Sequence, residues 1–410
     1  MPCKVLLLTQ WFDPEPTIKG LPFARELVRL GFGVEVLTGF PNYPYGRLYP
    51  GYSQRWLQRE AIDGVRISRV PLYPSHDQSA LRRVLNYASF AFTSLLHGLR
   101  AAGRADVIYA YHPPLTVGVV AAILRIVRRR PVVYDIQDLW PDTLAATGMV
   151  SNARVLRIVA TVCRWVYRSA DAIVVLSPGF KQMLEQRGVP SAKLEVIYNW
   201  ADEVSLGSTP AQLPVGFPGP DRFRLVFAGN LGKAQALDSL LEAAQLLHSR
   251  NSRVSLVFIG GGVEAKPLRE RAIALRLPNV TFLDPVPMSE IGGVLRAADA
   301  LVVHLRKDPL FEITIPSKTQ AYMAVGKPIL MAVRGDAADL VAVSGAGVLA
   351  QPEDPASIAA AAQGLADMDH ERLVHMGTCA RNYYERCLSL EQGAARFAAI
   401  FERLADRGAV

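Results

Sequence analysis

Short apolar runs recur along the first half of the chain at Val5–Thr9, Val34–Thr38, Val65–Val70, Val107–Tyr111, Val132–Asp135, Ile173–Ser177 and Leu194–Tyr198. They are rich in Val, Ile and Leu on both faces and do not alternate, which predicts strands of a parallel sheet covered by helices on each side. Helical patterns lie between them, such as Leu21–Leu30 before Gly31, where glycine commonly closes a helix. Ser177-Pro178 offers an N-cap followed by proline at the first helical position. Residues 203–220 interrupt the alternation with four prolines and three glycines and read as a linker. The pattern then restarts at Arg224–Ala228, Val254–Ile259, Val280–Leu283, Ala300–His304 and Pro328–Val333. The expected fold is α/β, with two doubly wound domains at 1–202 and 221–385 and a further helix over 386–410. Two such domains in series place a cleft at the carboxyl ends of their sheets, where ligands bind in folds of this kind.

At 410 residues, 50% apolar and 20% charged, with a mean hydropathy of +0.17, the chain has material for two cores and is not a disordered one. Charge changes the picture more than composition does. Residues 1–202 hold 24 Lys and Arg against 15 Asp and Glu, and the remainder holds 21 against 22. The excess of positive charge therefore sits in the first half, which suits an anionic membrane or a phosphorylated substrate. No aromatic-interleaved basic patch marks a nucleic-acid module, and none is expected as a partner. Cysteines at 3, 163, 379 and 387 are too scattered for a disulfide framework or a zinc site, which fits a reducing compartment. The opening Met1–Gln10 reads as a buried strand rather than a leader. Val84–Leu99, 16 uncharged residues between Arg83 and Arg100, would reach only about 24 Å as a helix and does not span a bilayer.

Three segments point to chemistry. Gly229-Asn230-Leu-Gly232-Lys233 follows a strand and precedes the helical pattern Leu237–Leu247, so backbone N–H groups and Lys233 can face an anion. Gly260-Gly-Gly262 is a second glycine turn after a strand. Pro316-Ser317-Lys318 opens a helix that Gly326 closes, with Glu312 shortly upstream. Two phosphate-facing helix starts in one domain suggest a nucleotide-sugar diphosphate. Asp367-Met-Asp369 formally resembles a metal-holding Asp-x-Asp, but it lies far along the chain from every glycine turn and is set aside.

The same stretches resemble a wider pattern. With Leu8–Pro16, Leu37–Pro44, Asp138-Leu-Trp-Pro-Asp142, Leu176–Gly179 and Asn199-Trp200, the chain is similar to retaining glycosyltransferases of the GT-B fold. The match is to family 4, in the bacterial surface-polysaccharide branch that contains N-acetylfucosaminyltransferase-like enzymes. The resemblance covers residue 4 to about 400. It implies two Rossmann-like domains, the second binding the nucleotide sugar and the first the acceptor, with the last helix packing back towards the first domain.

Carried over, Gly229, Asn230 and Lys233 fall at the diphosphate loop, and Ser317 and Lys318 at the helix start facing the same diphosphate. Val286 and Pro287 fall at the base, and His112 at a histidine that approaches the donor sugar. His112, Glu312, Lys233 and Lys318 are the expected catalytic groups. Asp13, Glu15, Gly20 and Asp138 are candidates for the acceptor side. Relatives usually carry a glutamate for the ribose where this chain has Ala321; Gln320, one residue out of register, is a possible substitute. The implied donor is a UDP-sugar, an N-acetylated deoxyhexosamine being one candidate, used without a divalent metal or other cofactor. The implied acceptor is a polyprenyl-diphosphate-linked saccharide at the inner face of the cytoplasmic membrane, as in lipopolysaccharide or other surface-polysaccharide synthesis. Residues 81–104, where Arg82, Arg83, Arg100 and Arg104 bracket Leu85, Phe90, Phe92, Leu95, Leu96 and Leu99, are the expected contact with an anionic leaflet. The loss at Ala321 leaves one rival open, a membrane-associated adaptor that keeps the fold without catalysis.

Overall fold

The computed structural model describes residues 2–75, 79–146, 148–207 and 213–408. The chain forms two compact units, one of Met1–Tyr198 with Leu390–Val410 and one of Asn199–Ser389. The first is built on β1 (Lys4–Leu8), β2 (Gly33–Gly39), β3 (Gln58–Ile62), β4 (Val65–Val70), β5 (Val107–Tyr111), β6 (Val132–Ile136), β7 (Ala172–Val175) and β8 (Leu194–Val196). Their order is β3-β4-β2-β1-β5-β6-β7-β8, all parallel except the β3–β4 pair. The second unit holds β9 (Phe223–Ala228), β10 (Val254–Ile259), β11 (Val280–Leu283), β12 (Ala300–His304), β13 (Ile329–Ala332) and β14 (Gly347–Leu349). These form a parallel sheet of order β11-β10-β9-β12-β13-β14.

The apolar runs become strands for the reason their composition gives. Every residue of β5, β6, β7, β10, β12 and β13 is buried, because helices cover both faces. Ser177 caps its helix as expected, its hydroxyl accepting the N–H of Phe180 at 3.1 Å above Pro178. Gly326 ends the helix Ser317–Val325 in the left-handed conformation.

Two strands escape the pattern. β3 is a polar edge strand (Gln-Arg-Glu-Ala-Ile) joined to β4 by Asp63-Gly64, whose φ values are +49° and +81°. β14 has three residues. The expected linker also changes. Residues 203–206 form a short helix, and the side chain of Arg296 donates to the Leu206 carbonyl at 2.6 Å. The close approach of Gly292 to the Leu206 backbone fixes the same contact, so this segment is packed structure. Residues 208–212 of the expected linker lie outside the described residues. Helix His370–Cys387 runs through the expected boundary at 385.

Right-handed crossovers place helices Ala80–Ala102, Leu115–Arg128 and Ala153–Ser169 side by side on one face of the first sheet. Helices Leu21–Arg29 and Leu390–Gly408 pack together on the other. There Phe397 and Phe401 meet Tyr109 edge-on at centroid distances of 5.3 and 5.7 Å, and Phe397 also meets Phe23 at 5.2 Å. No helix among the described residues is long and apolar enough to cross a membrane.

Candidate active site

Each sheet reverses its direction of winding once, between β1 and β5 in the first unit and between β9 and β12 in the second. Such a switch point leaves a crevice at the strand ends. In the second unit it is a cleft of about 690 Å³. Its floor is the glycine turns after β9 and β10, one wall is the start of helix Ser317–Val325, and the other is Pro285, Val286, Met288 and Ile291. The floor is held backbone to backbone. Gly229 donates its N–H to Ile259 O at 2.8 Å, and Leu231 donates to Gly261 O at 2.8 Å. Gly260 sits at φ +139°, and a methyl group there would overlap the Gly229 carbonyl, so this crossing requires glycine.

Helix Ser317–Val325 begins at Pro316 with no side-chain cap, so its first N–H groups and the positive end of its dipole remain available to an anion. Lys318 lies beside them, its Nζ 3.8 Å from the centroid of the Phe227 ring. Burial lowers its pKa to about 8. Tyr322, one turn on, accepts the N–H of Ala228 at 3.0 Å and ties this helix to the end of β9.

Gly229, Asn230, Val286, Ser317 and Lys318 all line the cleft, as expected. Lys233, Pro287, Glu312 and Gln320 do not. Lys233 begins a 3-10 turn that directs Ala234 and Gln235 inward, and it borders a separate depression with Arg306 and Glu353. Glu312 is exposed, while Phe311 and Thr314, three residues apart on one face, line the cleft. Helix Ser317–Val325 presents residues 317, 318, 321 and 322 inward. Gln320 therefore turns away and is buried; with its amide oriented to satisfy both ends, it donates to Pro316 O at 2.8 Å. The expected ribose substitute bonds back to carbonyls of its own helix, and Ala321 faces the cleft. Pro287 is exposed at the start of helix Met288–Ala297. Asp369 caps helix His370–Cys387, as a structural aspartate does.

The switch point of the first unit gathers the other candidates. His112, at the end of β5, is 2% exposed and stacks edge-on against Tyr134 and Trp140 at 6.0 and 5.4 Å. Neither ring nitrogen has a hydrogen-bond partner among the described residues. Burial lowers its pKa to about 3, so the imidazole is neutral and has one donor and one acceptor unused. Asp138 follows β6, and burial raises its carboxyl above the usual range. The carboxylates of Asp13 and Glu15 accept backbone N–H groups. Asp13 accepts the N–H of Leu21 at the start of helix Leu21–Arg29, and Gly20 leaves room for that carboxylate. Glu15 accepts N–H groups of Phe12, Asn42 and Tyr43 at 3.1, 2.7 and 2.7 Å, while burial raises its pKa to about 7.

Comparison with known proteins matches this geometry. Residues 21–200 match the glycosyl transferase 4-like domain, and residues 222–368 match the glycosyl transferases group 1. The crystal structure of HepE from Anabaena in complex with UDP superposes with a TM-score of 0.70 at 18% identity, covering 98% of this chain and 100% of that one. The protein is a GT-B glycosyltransferase. Among curated relatives, the glycosyltransferase WbjE of Pseudomonas aeruginosa is 26% identical over 72% of this chain and 74% of its own. WcaI of Escherichia coli K12, whose name assigns it to colanic acid biosynthesis, is 24% identical over 96% of this chain and 98% of its own.

The glycosyltransferase has a further cleft residue that the sequence did not single out. His304, inside the buried run of β12, donates from Nδ1 to Gln235 O at 2.6 Å and accepts at Nε2 from the Glu353 N–H at 3.0 Å. This arrangement needs the neutral ring, and burial lowers its pKa. Its contribution is complete above the unfolded value near 6.5 and declines as pH falls below it. His304→Ala removes both bonds, each worth about 1 kcal/mol. Thermal stability is then expected to fall, and donor KM to rise because the cleft-lining turn at Gln235 loses its anchor; thermal unfolding and initial rates at neutral pH measure the two.

Proposed function

We propose that the glycosyltransferase moves a sugar from a UDP-linked donor to a lipid-linked saccharide in surface-polysaccharide synthesis, with retention at the anomeric carbon and without a divalent metal. One observation carries the donor side. The uncapped start of helix Ser317–Val325, with Lys318 beside it, faces the glycine turns across the 690 Å³ cleft. An N-terminal dipole and a desolvated ammonium suit a diphosphate, and Val286 provides an apolar surface for the base. The complex of HepE with UDP supports the choice of nucleotide.

Transfer breaks the bond between the anomeric carbon and the diphosphate oxygen and forms one to the acceptor oxygen. Negative charge grows on the departing phosphate, so Lys318 and the helix N–H groups stabilise the transition state more than the bound donor. With attack on the face that the diphosphate leaves, the acceptor hydroxyl passes its proton to a phosphate oxygen. The neutral His112 imidazole hydrogen-bonds a sugar hydroxyl, and Asp138 meets the acceptor, since the carboxylates of Asp13 and Glu15 are already engaged.

The acceptor side is read from helix Ala80–Ala102, which presents Leu85, Phe92 and Leu96 to solvent at 45%, 61% and 41% exposure. Phe90 from the same stretch is in the core, and Arg104 pairs with Glu35 at 3.0 Å. Contact with an anionic leaflet at the cytoplasmic face of the inner membrane would bring the enzyme to a polyprenyl-diphosphate saccharide.

The test is a thermal-shift screen of nucleotide sugars, UDP-linked N-acetylated deoxyhexosamines first, followed by turnover on polyprenyl-diphosphate saccharides. Turnover is expected to survive excess EDTA. Complete loss restored by Mg2+ overturns metal independence, and stabilisation by GDP- or ADP-sugars alone overturns the donor.

A further inference from the structure

Helix Ala153–Ser169 is amphipathic, and its first ten residues are exposed or only half-buried. Asn152 caps it, accepting from the N–H groups of Arg154 and Val155 at 2.9 and 3.3 Å. None of its first ten residues is buried, although six of them are Val155, Leu156, Ile158, Val159, Ala160 and Val162. Only Cys163, Val166 and Tyr167 reach the core. Ile158 is 64% exposed, Val155 42% and Trp165 38%. A stripe of this kind is ordinarily buried against something.

Charge identifies what covers it. Residues 143–170 contain no Asp or Glu, and the helix carries Arg154, Arg157, Arg164 and Arg168. None of these four pairs with a carboxylate among the described residues. Arginines without acidic partners, interleaved with aliphatic groups and a tryptophan, match an anionic lipid surface.

Position supports the same surface. Helix Leu115–Arg128 packs against both this helix and helix Ala80–Ala102, so the three form one layer. Helix Ala80–Ala102 follows β4 and helix Ala153–Ser169 follows β6, so both begin at the carboxyl end of the sheet, the end that carries His112 and Asp138. Leu81 and Val84, in the opening turns of the former, are 69% and 60% exposed.

We infer that helix Ala153–Ser169 is a second lipid-binding element, whose amino-terminal half inserts Val155 and Ile158 into an anionic bilayer surface while its arginines hold the headgroups. This inference rests on the membrane reading proposed above and extends it to a separate helix. Together the two helix starts hold the carboxyl end of the first sheet against the leaflet, where a lipid-linked acceptor presents its saccharide.

The experiment is co-sedimentation of the full chain with vesicles of mixed phosphatidylglycerol and phosphatidylcholine, and with phosphatidylcholine alone. Wild type is compared with V155S/I158S, with R154Q/R157Q/R164Q/R168Q, and with R82Q/R83Q on the first helix. All the changed side chains are at the surface, and unchanged thermal unfolding checks the fold. Each arginine near the leaflet strengthens binding about fivefold, so the quadruple variant is expected to lose roughly a hundredfold or more in partition coefficient. V155S/I158S is expected to lose binding that persists in high salt. The blue shift of tryptophan emission on anionic vesicles should shrink in Trp165→Phe. If both variants of helix Ala153–Ser169 sediment like wild type while R82Q/R83Q is impaired, this inference fails and the membrane reading stands. If wild type sediments with neither vesicle, both fail. If V155S/I158S instead abolishes a concentration-dependent dimer seen by sedimentation velocity, the face is a contact between copies and the inference is overturned.

Discussion

Lys318→Ala is expected to lower kcat/KM for the donor by roughly ten- to more than a hundredfold, the equivalent of a charge-assisted contact worth about 1.5–3 kcal/mol. The fold is expected to persist. Lys318 is paired with no carboxylate among the described residues, and burial already lowers its pKa to about 8. Removing it relieves a desolvated cation, so the melting temperature should not fall. The pH dependence follows from the same shift. The protonated amine is the form that binds a diphosphate, so in free enzyme it is present below about 8 and is lost above it. Donor KM should therefore rise towards tenfold per pH unit at higher pH in wild type and stay flat in the alanine variant. Lys233→Ala, at a residue outside the cleft, is expected to change donor kinetics by less than about threefold, in line with an exposed charge. Equal, large effects at both lysines would show that the turn at Lys233–Gln235 rearranges when the donor binds.

Gly260→Ala is expected to abolish detectable donor turnover and to destabilise the second unit. The position is at φ +139°, where an L side chain costs about 1–3 kcal/mol, and the added methyl overlaps the Gly229 carbonyl. A backbone atom cannot swing aside as a lysine stem can, so the β9 turn must move and take Asn230 with it. The neighbouring Gly261→Ala is the control. Its Cβ would meet only Pro285 Cγ, at 3.5 Å, an ordinary contact. Calorimetry with UDP and thermal unfolding of the two variants separate the cases, and an active Gly260→Ala enzyme would remove the argument for a rigid floor.

The parts of this molecule that were legible in sequence are those whose environment is uniform. Strands covered on both faces must be continuously apolar, so β5 and β10 announce themselves. β3 has a solvent-facing edge and polar residues, and its signal was the Asp63-Gly64 turn rather than hydropathy. At the site, backbone features were readable because glycine and proline mark them, which is why Gly229 and the Pro316–Lys318 helix start fall where expected. Side-chain direction was not. One residue along a helix is about 100° of rotation, enough to turn Gln320 into the core and leave Ala321 in the cleft. His304 and Tyr322 were hidden because each sits inside a buried run and acts through backbone groups that no motif encodes.

The first unit is made from two stretches of chain separated by the whole of the second, and this has a consequence for synthesis. Phe397 and Phe401 are fully buried against Tyr109, and truncating a buried phenylalanine costs about 3–5 kcal/mol. While residues 390–408 are still unmade, Met1–Tyr198 lacks that side of its core and exposes the face that will hold them. The second unit, continuous from Asn199 to Ser389, needs nothing from later in the chain. The unit translated first therefore depends on the residues translated last, and it cannot close until they are free to pack. Released chains truncated after residue 389 should present a protease-resistant second unit beside a sensitive first one. Until residues 390–408 pack, a chaperone would be expected to hold the amino-terminal half.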